Sequence, residues 1–255
     1  MATLEEMARA LYRSWFVDFD PVWAKLEGRA PAHMDAATAA LFPDRFDEEG
    51  LPEGWGLGTL NDLIEFNPRE RIAKGDEAPY LDMKALPTSG MIAAPSYRRP
   101  FTSGSKFRKG DTLLARITPC LENGKTAMVD DLLGSEVGWG STEFIVMRAR
   151  SGISSALPYC VARDVDFREG AISTMTGSSG RQRADAASIS QLECAVPTRR
   201  VLEAFDEMTA PMIRRIHSVG RENETLANLR DTLLPRLMSG DLRVGEAREQ
   251  VEDVV

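Results

Sequence analysis

The residues best suited to chemistry lie in one short run, Thr176-Gly177-Ser178-Ser179-Gly180-Arg181-Gln182-Arg183. It joins three hydroxyls (Thr176, Ser178, Ser179), two guanidinium forks (Arg181, Arg183) and an amide (Gln182) to backbone N–H groups in a glycine-rich loop. Such groups contact phosphates and read guanine or adenine edges in pairs of hydrogen bonds. A second run, Ala115 to Lys125, sets Arg116, Thr118, Asn123 and Lys125 at strand ends and turns, and Ser141 and Thr142 precede a further strand. Turn formation and strand capping alone account for the Gly, Ser and Asn residues. They account less well for two arginines and a glutamine in one exposed loop.

Charge distribution supports an anionic ligand better than the total does. The net charge is −8, but residues 1–50 carry 5 basic against 10 acidic side chains, and 51–200 carry 19 against 18. Within 95–125, Arg98, Arg99, Lys106, Arg108, Lys109, Arg116 and Lys125 face only Asp111 and Glu122. Local basic density sets phosphate attraction. A solvated basic face without a ligand is the alternative.

Catalytic patterns are missing. Neither Gly138-Trp139-Gly140-Ser141 nor Gly177-Ser178-Ser179-Gly180 has the lysine of a phosphate-binding loop or dinucleotide-fold glycine spacing, and there is no Gly-x-Ser-x-Gly elbow. Asn67-Pro68 begins like the motif that grips a flipped base in DNA amino-methyltransferases, but Arg69-Glu70 follows in place of the stacking aromatic. Asp111 and Glu122 are too scattered to suggest a magnesium site. Cys120, Cys160 and Cys194 are odd in number and far apart, which argues against a disulfide framework and for a reducing cytoplasm. With His33 and His217 as the two histidines, a His-based metal site or a Ser/His relay is not expected.

The elements that would position these groups form an α+β chain. Thr3–Trp15 reads as a short helix with Leu4, Met7, Leu11 and Trp15 in its apolar stripe, and Pro21 holds Asp20 out of helical geometry. Residues 27–50 read as an irregular connector with one helical turn. Trp15, Phe16, Phe19 and Trp23 must dock on a larger body, whether the chain's own domain or a partner. Strands are expected at Pro79–Met83, Asp111–Ile117, Thr126–Val129 and Phe144–Arg148, with short helical turns near Asn61–Phe66 and Ile189–Leu192. Asn123-Gly124 suggests a hairpin-type turn, and Gly170–Asp185 an exposed loop. The expected units are 1–50 (helix and connector), 51–200 (mixed α/β body), 201–240 (long helix) and 241–255 (polar tail).

From Val201 to Leu234 the pattern is heptad. The a positions are Leu202, Thr209, Ile216, Asn223 and Arg230; the d positions are Phe205, Met212, Val219, Leu226 and Leu233. An apolar repeat of 3.5 predicts a coiled-coil rod of roughly 50 Å at about 1.5 Å per residue. The alternative is a long helix folded back on its own domain, against which the polar a positions speak.

In this order the segments resemble the specificity subunit of type I restriction–modification systems, and in particular its C-terminal half. Leu11 through Pro21 is similar to the end of that family's central conserved region, and Leu41-Phe42-Pro43 with Leu51-Pro52-Glu53-Gly54-Trp55 to the start of a target-recognition domain. Gly177 to Arg183 resembles the loop near that domain's end, and Leu229 to Gly240 the C-terminal signature. The resemblance implies a non-catalytic subunit that reads DNA in the major groove. In that family two recognition domains each read half of a split site, and two antiparallel helices set the spacer. Partner subunits supply the catalysis: a methyltransferase using S-adenosylmethionine and an ATP-driven restriction subunit. No cofactor is expected on this chain.

One recognition domain in place of two points to a homodimer on a split palindrome; the alternative is a fragment whose missing half comes from a different chain. Leu202, Phe205, Met212, Ile216, Val219, Asn223, Leu226 and Leu233 would form the homodimer interface, with the Leu4–Trp15 helix near a neighbour's rod end. The DNA contacts would come from Arg98, Arg99, Lys106, Arg108 and the loop residues named above. Two other readings remain: a methyltransferase or nuclease fragment with its own activity, and a coiled-coil interaction protein that does not bind DNA.

Overall fold

Trp15 and Phe16 pack on the chain's own long helix, while Phe19 and Trp23 pack on Phe46 and Phe19 also on Trp55. The computed structural model describes residues 2–130, 132, 136–178 and 180–252. Helix α1 (Ala2–Phe16) is followed by α2 (Asp20–Leu26) and a single turn, α3 (Ala36–Ala39). The break between α1 and α2 falls at Phe19, whose φ is 55°. Pro21 therefore opens α2 and leaves Asp20 helical, correcting the expected break there. Proline is tolerated in a first turn because the N–H it lacks has no partner there.

The body begins with β1 (Gly56–Thr59), α4 (Leu60–Leu63) and β2 (Ile64–Phe66), followed by β3 (Glu77–Leu81), β4 (Tyr97–Pro100), β5 (Ser105–Phe107) and β6 (Thr112–Ala115). Then come β7 (Thr126–Met128), β8 (Gly138–Gly140), β9 (Phe144–Ala149), α5 (Ala156–Arg163), α6 (Val165–Ser173), α7 (Ala186–Ser190) and β10 (Glu193–Val196). Two four-stranded sheets, β2-β9-β6-β7 and β4-β3-β8-β5, and a two-stranded ribbon, β1-β10, result. The class is α+β.

Alternation along the strands builds three layers. In β6, Leu113 joins the core between the two larger sheets while Leu114 faces the helices; Val146 and Ile145 of β9 divide in the same way. Successive side chains on a strand point to opposite faces, so β6 and β9 are apolar on both and form the middle layer. Helices α1, α5 and α8 (Arg199–Ser239) cover its outer side. Helix α5 is buried at every position. It thus lacks the polar face that periodicity needs, and the sequence reading missed it. Asp164 caps α6 by accepting from the backbone N–H groups of Asp166 and Phe167, so Gly170–Ser173 completes a helix rather than opening a loop. The β6–β7 connection spans Arg116–Lys125 and is no tight hairpin at Asn123-Gly124.

The long helix α8 divides at Arg221. Val201, Leu202, Phe205, Thr209, Ile213 and Ile216 are buried under the chain's own α1 and α5, and Phe205 lies 5.0 Å from the Phe16 ring centroid. This corrects the expected dimer seam: Leu202, Phe205 and Ile216 are consumed by the monomer fold, and α1 docks on α8 of its own chain. Met212 and Val219 are half-buried. At the dividing point Asp130 accepts from Lys109 Nζ at 3.0 Å, approaches His217 Nδ1 at 3.3 Å and pairs with Arg221. A Cβ at Gly220 would overlap the Ile92 side chain.

Beyond this latch Asn223, Leu226 and Arg230 are exposed, and the buried residue is Leu233. Leu233 packs on Leu242 and Ala247 of a returning segment that includes α9 (Val244–Glu252). Residues 241–252 are therefore a helical return in place of the expected polar tail. Gly240, at φ 81°, permits the reversal. The projecting stretch, residues 222–239, is roughly 25 Å long at about 1.5 Å per residue, half the expected rod. Among the described residues no helix is long and apolar enough to cross a membrane.

Candidate nucleic-acid interface

Three loops meet where β6 and β8 end and β9 begins. Arg116 N–H donates to the Glu143 carbonyl at 2.9 Å, and Ala184 N–H to the Arg116 carbonyl at 2.8 Å. Thr118 and Gln182 are cross-bonded: Thr118 N–H donates to the Gln182 carbonyl at 3.1 Å, and Gln182 N–H to Thr118 Oγ1 at 3.1 Å. Thr176 and Arg183 exchange a pair of backbone hydrogen bonds at 2.9 and 3.0 Å. The Arg183 guanidinium grips the Glu143 carboxylate, Nε to Oε2 at 2.8 Å and Nη2 to Oε1 at 2.7 Å. That clamp holds Glu143 below the usual carboxylate range. Arg183 therefore acts first as a loop clasp.

The base of the 116–125 loop is anchored from inside. Arg163, 3% exposed, donates to the carbonyls of Gly124, Thr126 and Thr88, each at 2.8 Å, and to that of Gly90. Its Nε donates to the Tyr159 hydroxyl at 3.0 Å, which donates to Glu5 of α1 at 2.6 Å. A buried guanidinium demands acceptors for every N–H, so these carbonyls must converge on it. Loop placement thereby becomes a property of the core.

What this end offers a ligand is set by which groups the fold leaves unspent. Arg181 is exposed, and its guanidinium bonds to no described residue; Asn123 and Thr142 are exposed and their side chains likewise bond to no described residue, and Ser178 is exposed. Gln182 is half-buried with its amide unspent among the described residues. Arg116 is half-buried and its Nε has no hydrogen-bond partner among the described residues. Ser141 Oγ accepts from Glu143 N–H at 3.1 Å, a turn contact, and Lys125 Nζ donates to the Met83 carbonyl at 2.8 Å. Ser179 lies outside the described residues.

The remaining expected residues, Arg98, Arg99, Lys106 and Arg108, sit apart on or next to the β4-β3-β8-β5 sheet. Arg108 pairs with Glu70 at 2.6 Å, in a network where Arg148 also holds Glu70 and the buried Asp111, each at 2.7 Å. Arg98 pairs with Glu136 at 2.6 Å and donates to the Glu77 carbonyl at 2.8 Å. Lys106 Nζ donates to the Glu70 carbonyl at 3.2 Å. Arg99 makes no hydrogen bond with a described residue and rests on aromatic rings. The sequence reading missed those rings, and also Glu143 and Arg163, because their roles depend on contacts far along the chain.

Reactive chemistry is poorly supplied. Burial pushes the Cys160 and Cys194 thiols up to about 12, so neither is a thiolate near neutral pH. Among the described residues no group of His, Cys, Asp and Glu is arranged to hold a metal ion.

No protein-family model matches the chain. The specificity subunit of the type I restriction enzyme HindI from Haemophilus influenzae is 22% identical over 297 residues, covering 94% of this chain and 62% of that protein. Those of EcoAI and EcoEI from Escherichia coli are 30% and 32% identical, each over 52% of this chain and 23% of the relative. The chain is thus similar in sequence to the specificity subunits of type I restriction enzymes. It spans less than two thirds of the length of each of these relatives. A crystal structure of the HsdS subunit from Thermoanaerobacter tengcongensis aligns with 94% of this chain and 57% of its own at 16% identity and TM-score 0.41. The type I S subunit from M. genitalium aligns over 92% and 55% at 15% identity and TM-score 0.48.

Proposed function

We propose that this chain is the non-catalytic DNA-reading component of a type I restriction–modification complex. The observation that carries the reading is the convergence of the 116–125, 141–143 and 176–183 loops with Arg181, Asn123, Thr142 and Gln182 unspent at their tips. These side chains supply the donors and acceptors that major-groove base edges require, and the clasped loops hold them at low entropic cost. Arg183, Thr118 and Ser141 serve chiefly to shape the reading surface.

Two copies paired through the projecting part of α8, with Asn223, Leu226 and Arg230 exposed, would read the two halves of a split palindrome. A methyltransferase subunit using S-adenosylmethionine and an ATP-using restriction subunit would complete the complex, in the cytoplasm. This chain itself takes no cofactor.

Mapping DNA methylation in cells with and without the gene supplies the recognised site. A duplex carrying that site then tests the reading with purified chain. Arg181→Glu is expected to weaken its binding by about 1–3 kcal/mol, roughly 5- to 150-fold, with a smaller loss on unrelated duplexes. Equal affinity of wild type and Arg181→Glu for the mapped site would remove Arg181 from the reading surface. Methylation or cleavage by the chain alone would favour an enzyme fragment, and absence of any DNA binding would favour a coiled-coil interaction protein.

A further inference from the structure

A row of three aromatics on β4, β3 and β8, continued by Lys106 of β5, crosses the outer sheet. Tyr97 of β4 pairs with Tyr80 of β3, Tyr80 with Trp139 of β8, and Trp139 with Lys106 of β5. The glycines on either side of Trp139 face inward, Gly138 against Phe107 and Gly140 against Phe144, so the Trp139 ring lies on the outer face. Ring centroids are 5.4 Å apart for Tyr97–Tyr80, 4.5 Å for Tyr80–Trp139 and 5.2 Å for Phe101–Trp139. The Arg99 guanidinium lies across this row, 4.7 Å from the Tyr80 centroid and 5.3 Å from that of Trp139.

We infer that Arg99 on its Tyr80–Trp139 platform is a sequence-independent grip on the DNA phosphodiester backbone, separate from the loops that read bases. The inference rests on the DNA-reading role proposed above. Stacking holds the guanidinium plane through its face and leaves its edge donors free, a preorganised fork for a phosphate. The adjacent cations differ: Arg98 is spent on Glu136 and the Glu77 carbonyl, and Lys106 donates to the Glu70 carbonyl while lying over Phe101. Arg99 is thus exposed, oriented and without an ion-pair partner among the described residues, in a chain of net charge −8. Its place supplies the anion. Trp139 of the row is one residue before Gly140, where the chain turns into Ser141–Glu143 of the reading end, so the platform adjoins the loops on which a duplex would be seated. Tyr97, 51% exposed, adds a hydroxyl at the same edge.

Fluorescence anisotropy of the full chain, on the mapped-site duplex and a random one across a NaCl series, tests the grip. Arg99→Gln is expected to weaken both duplexes by one common factor, roughly fivefold to tenfold, and to make log K against log[NaCl] shallower by about 0.9. Arg99→Lys keeps the slope and recovers part of the affinity, since an ammonium retains the charge without the stacked fork. Unchanged thermal melting of Arg99→Gln shows that the loss is not unfolding; if it melts early, Arg99→Lys carries the comparison. Arg181→Gln, the reading-loop control, lowers the preference for the mapped site. Wild-type affinity and slope in Arg99→Gln would overturn the grip, as would a loss confined to the mapped site, which would make Arg99 a base reader. If wild-type chain binds neither duplex, the DNA-reading proposal itself fails.

Discussion

The two halves of α8 carry one heptad pattern and meet opposite fates. Up to Arg221 most of its apolar positions are buried against α1 and α5, with Phe205 fully covered and Ile216 1% exposed, while Met212 and Val219 are half-buried. After Arg221 the same series puts Leu226 at 44% exposed and Asn223 and Arg230 in solvent, with Leu233 covered by the α9 return. A heptad specifies that one stripe must be covered. It does not specify by what. In the first half the intramolecular cover wins because α1 is tethered to the same chain and brings Trp15 and Phe16 onto Phe205.

The largest expected contrast is between matched truncations in the two halves. Phe205→Ala removes a ring from a packed aromatic cluster and is expected to cost about 3–5 kcal/mol in denaturant unfolding. Leu226→Ala is expected to stay within about 0.5 kcal/mol in the isolated chain. Its effect belongs in sedimentation or light scattering, where a dimer built on the projecting stretch dissociates at higher concentration. Equal destabilisation by the two would erase the division of the helix, and unchanged self-association of a dimer with Leu226→Asp would move the pairing surface elsewhere.

A middle-sized effect is expected at the dividing point. Gly220→Val places a branched side chain where even a Cβ meets Ile92, at a cost of about 1–3 kcal/mol, because overpacking forces side chains off their rotamers. Unfolding midpoints measured beside those of Gly245→Val, where the glycine has open space, would show whether the close approach matters. The gentlest effect is on pH dependence. Burial holds His217 below its ordinary value of 6.5 despite Asp130, and Arg221 and Lys109 act in the same direction as burial. The unfolded chain therefore takes up this proton first as pH falls. The contribution of neutral His217 is intact above the ordinary value and is lost as pH drops from there through the lower folded value. Unfolding midpoints followed downward from pH 7 should show this slope in wild type and lose it in His217→Gln.

Legibility in the sequence tracked locality. Helices α1 and α8 announce themselves by apolar stripes at helical spacing, and the core strands β6, β7 and β9 by short apolar or β-branched runs bounded by turn residues. Helix α5 does not, since a wholly buried helix has no polar face to reveal its period. The loop residues were legible by type, Arg181 and Gln182 above all, but their division of labour was not. That Arg183 clasps Glu143, 40 residues away, while Arg181 stays unspent follows from a bridge between loops.

The amino-acid sequence by itself determined a mixed α+β body, a long C-terminal helix with a stripe to be covered, and a set of basic and amide side chains suited to nucleic acid. These follow from short-range periodicity and side-chain chemistry, which act within a few residues. Tertiary structure alone decided that half the stripe is covered in cis, that Asp130 marks where the helix leaves the body, and that Arg99 rests on two rings from different strands. Those outcomes depend on the pairing of β3 with β8 and the docking of α1 on α8. Such contacts join distant segments, and competing chain packings settle them rather than any local pattern.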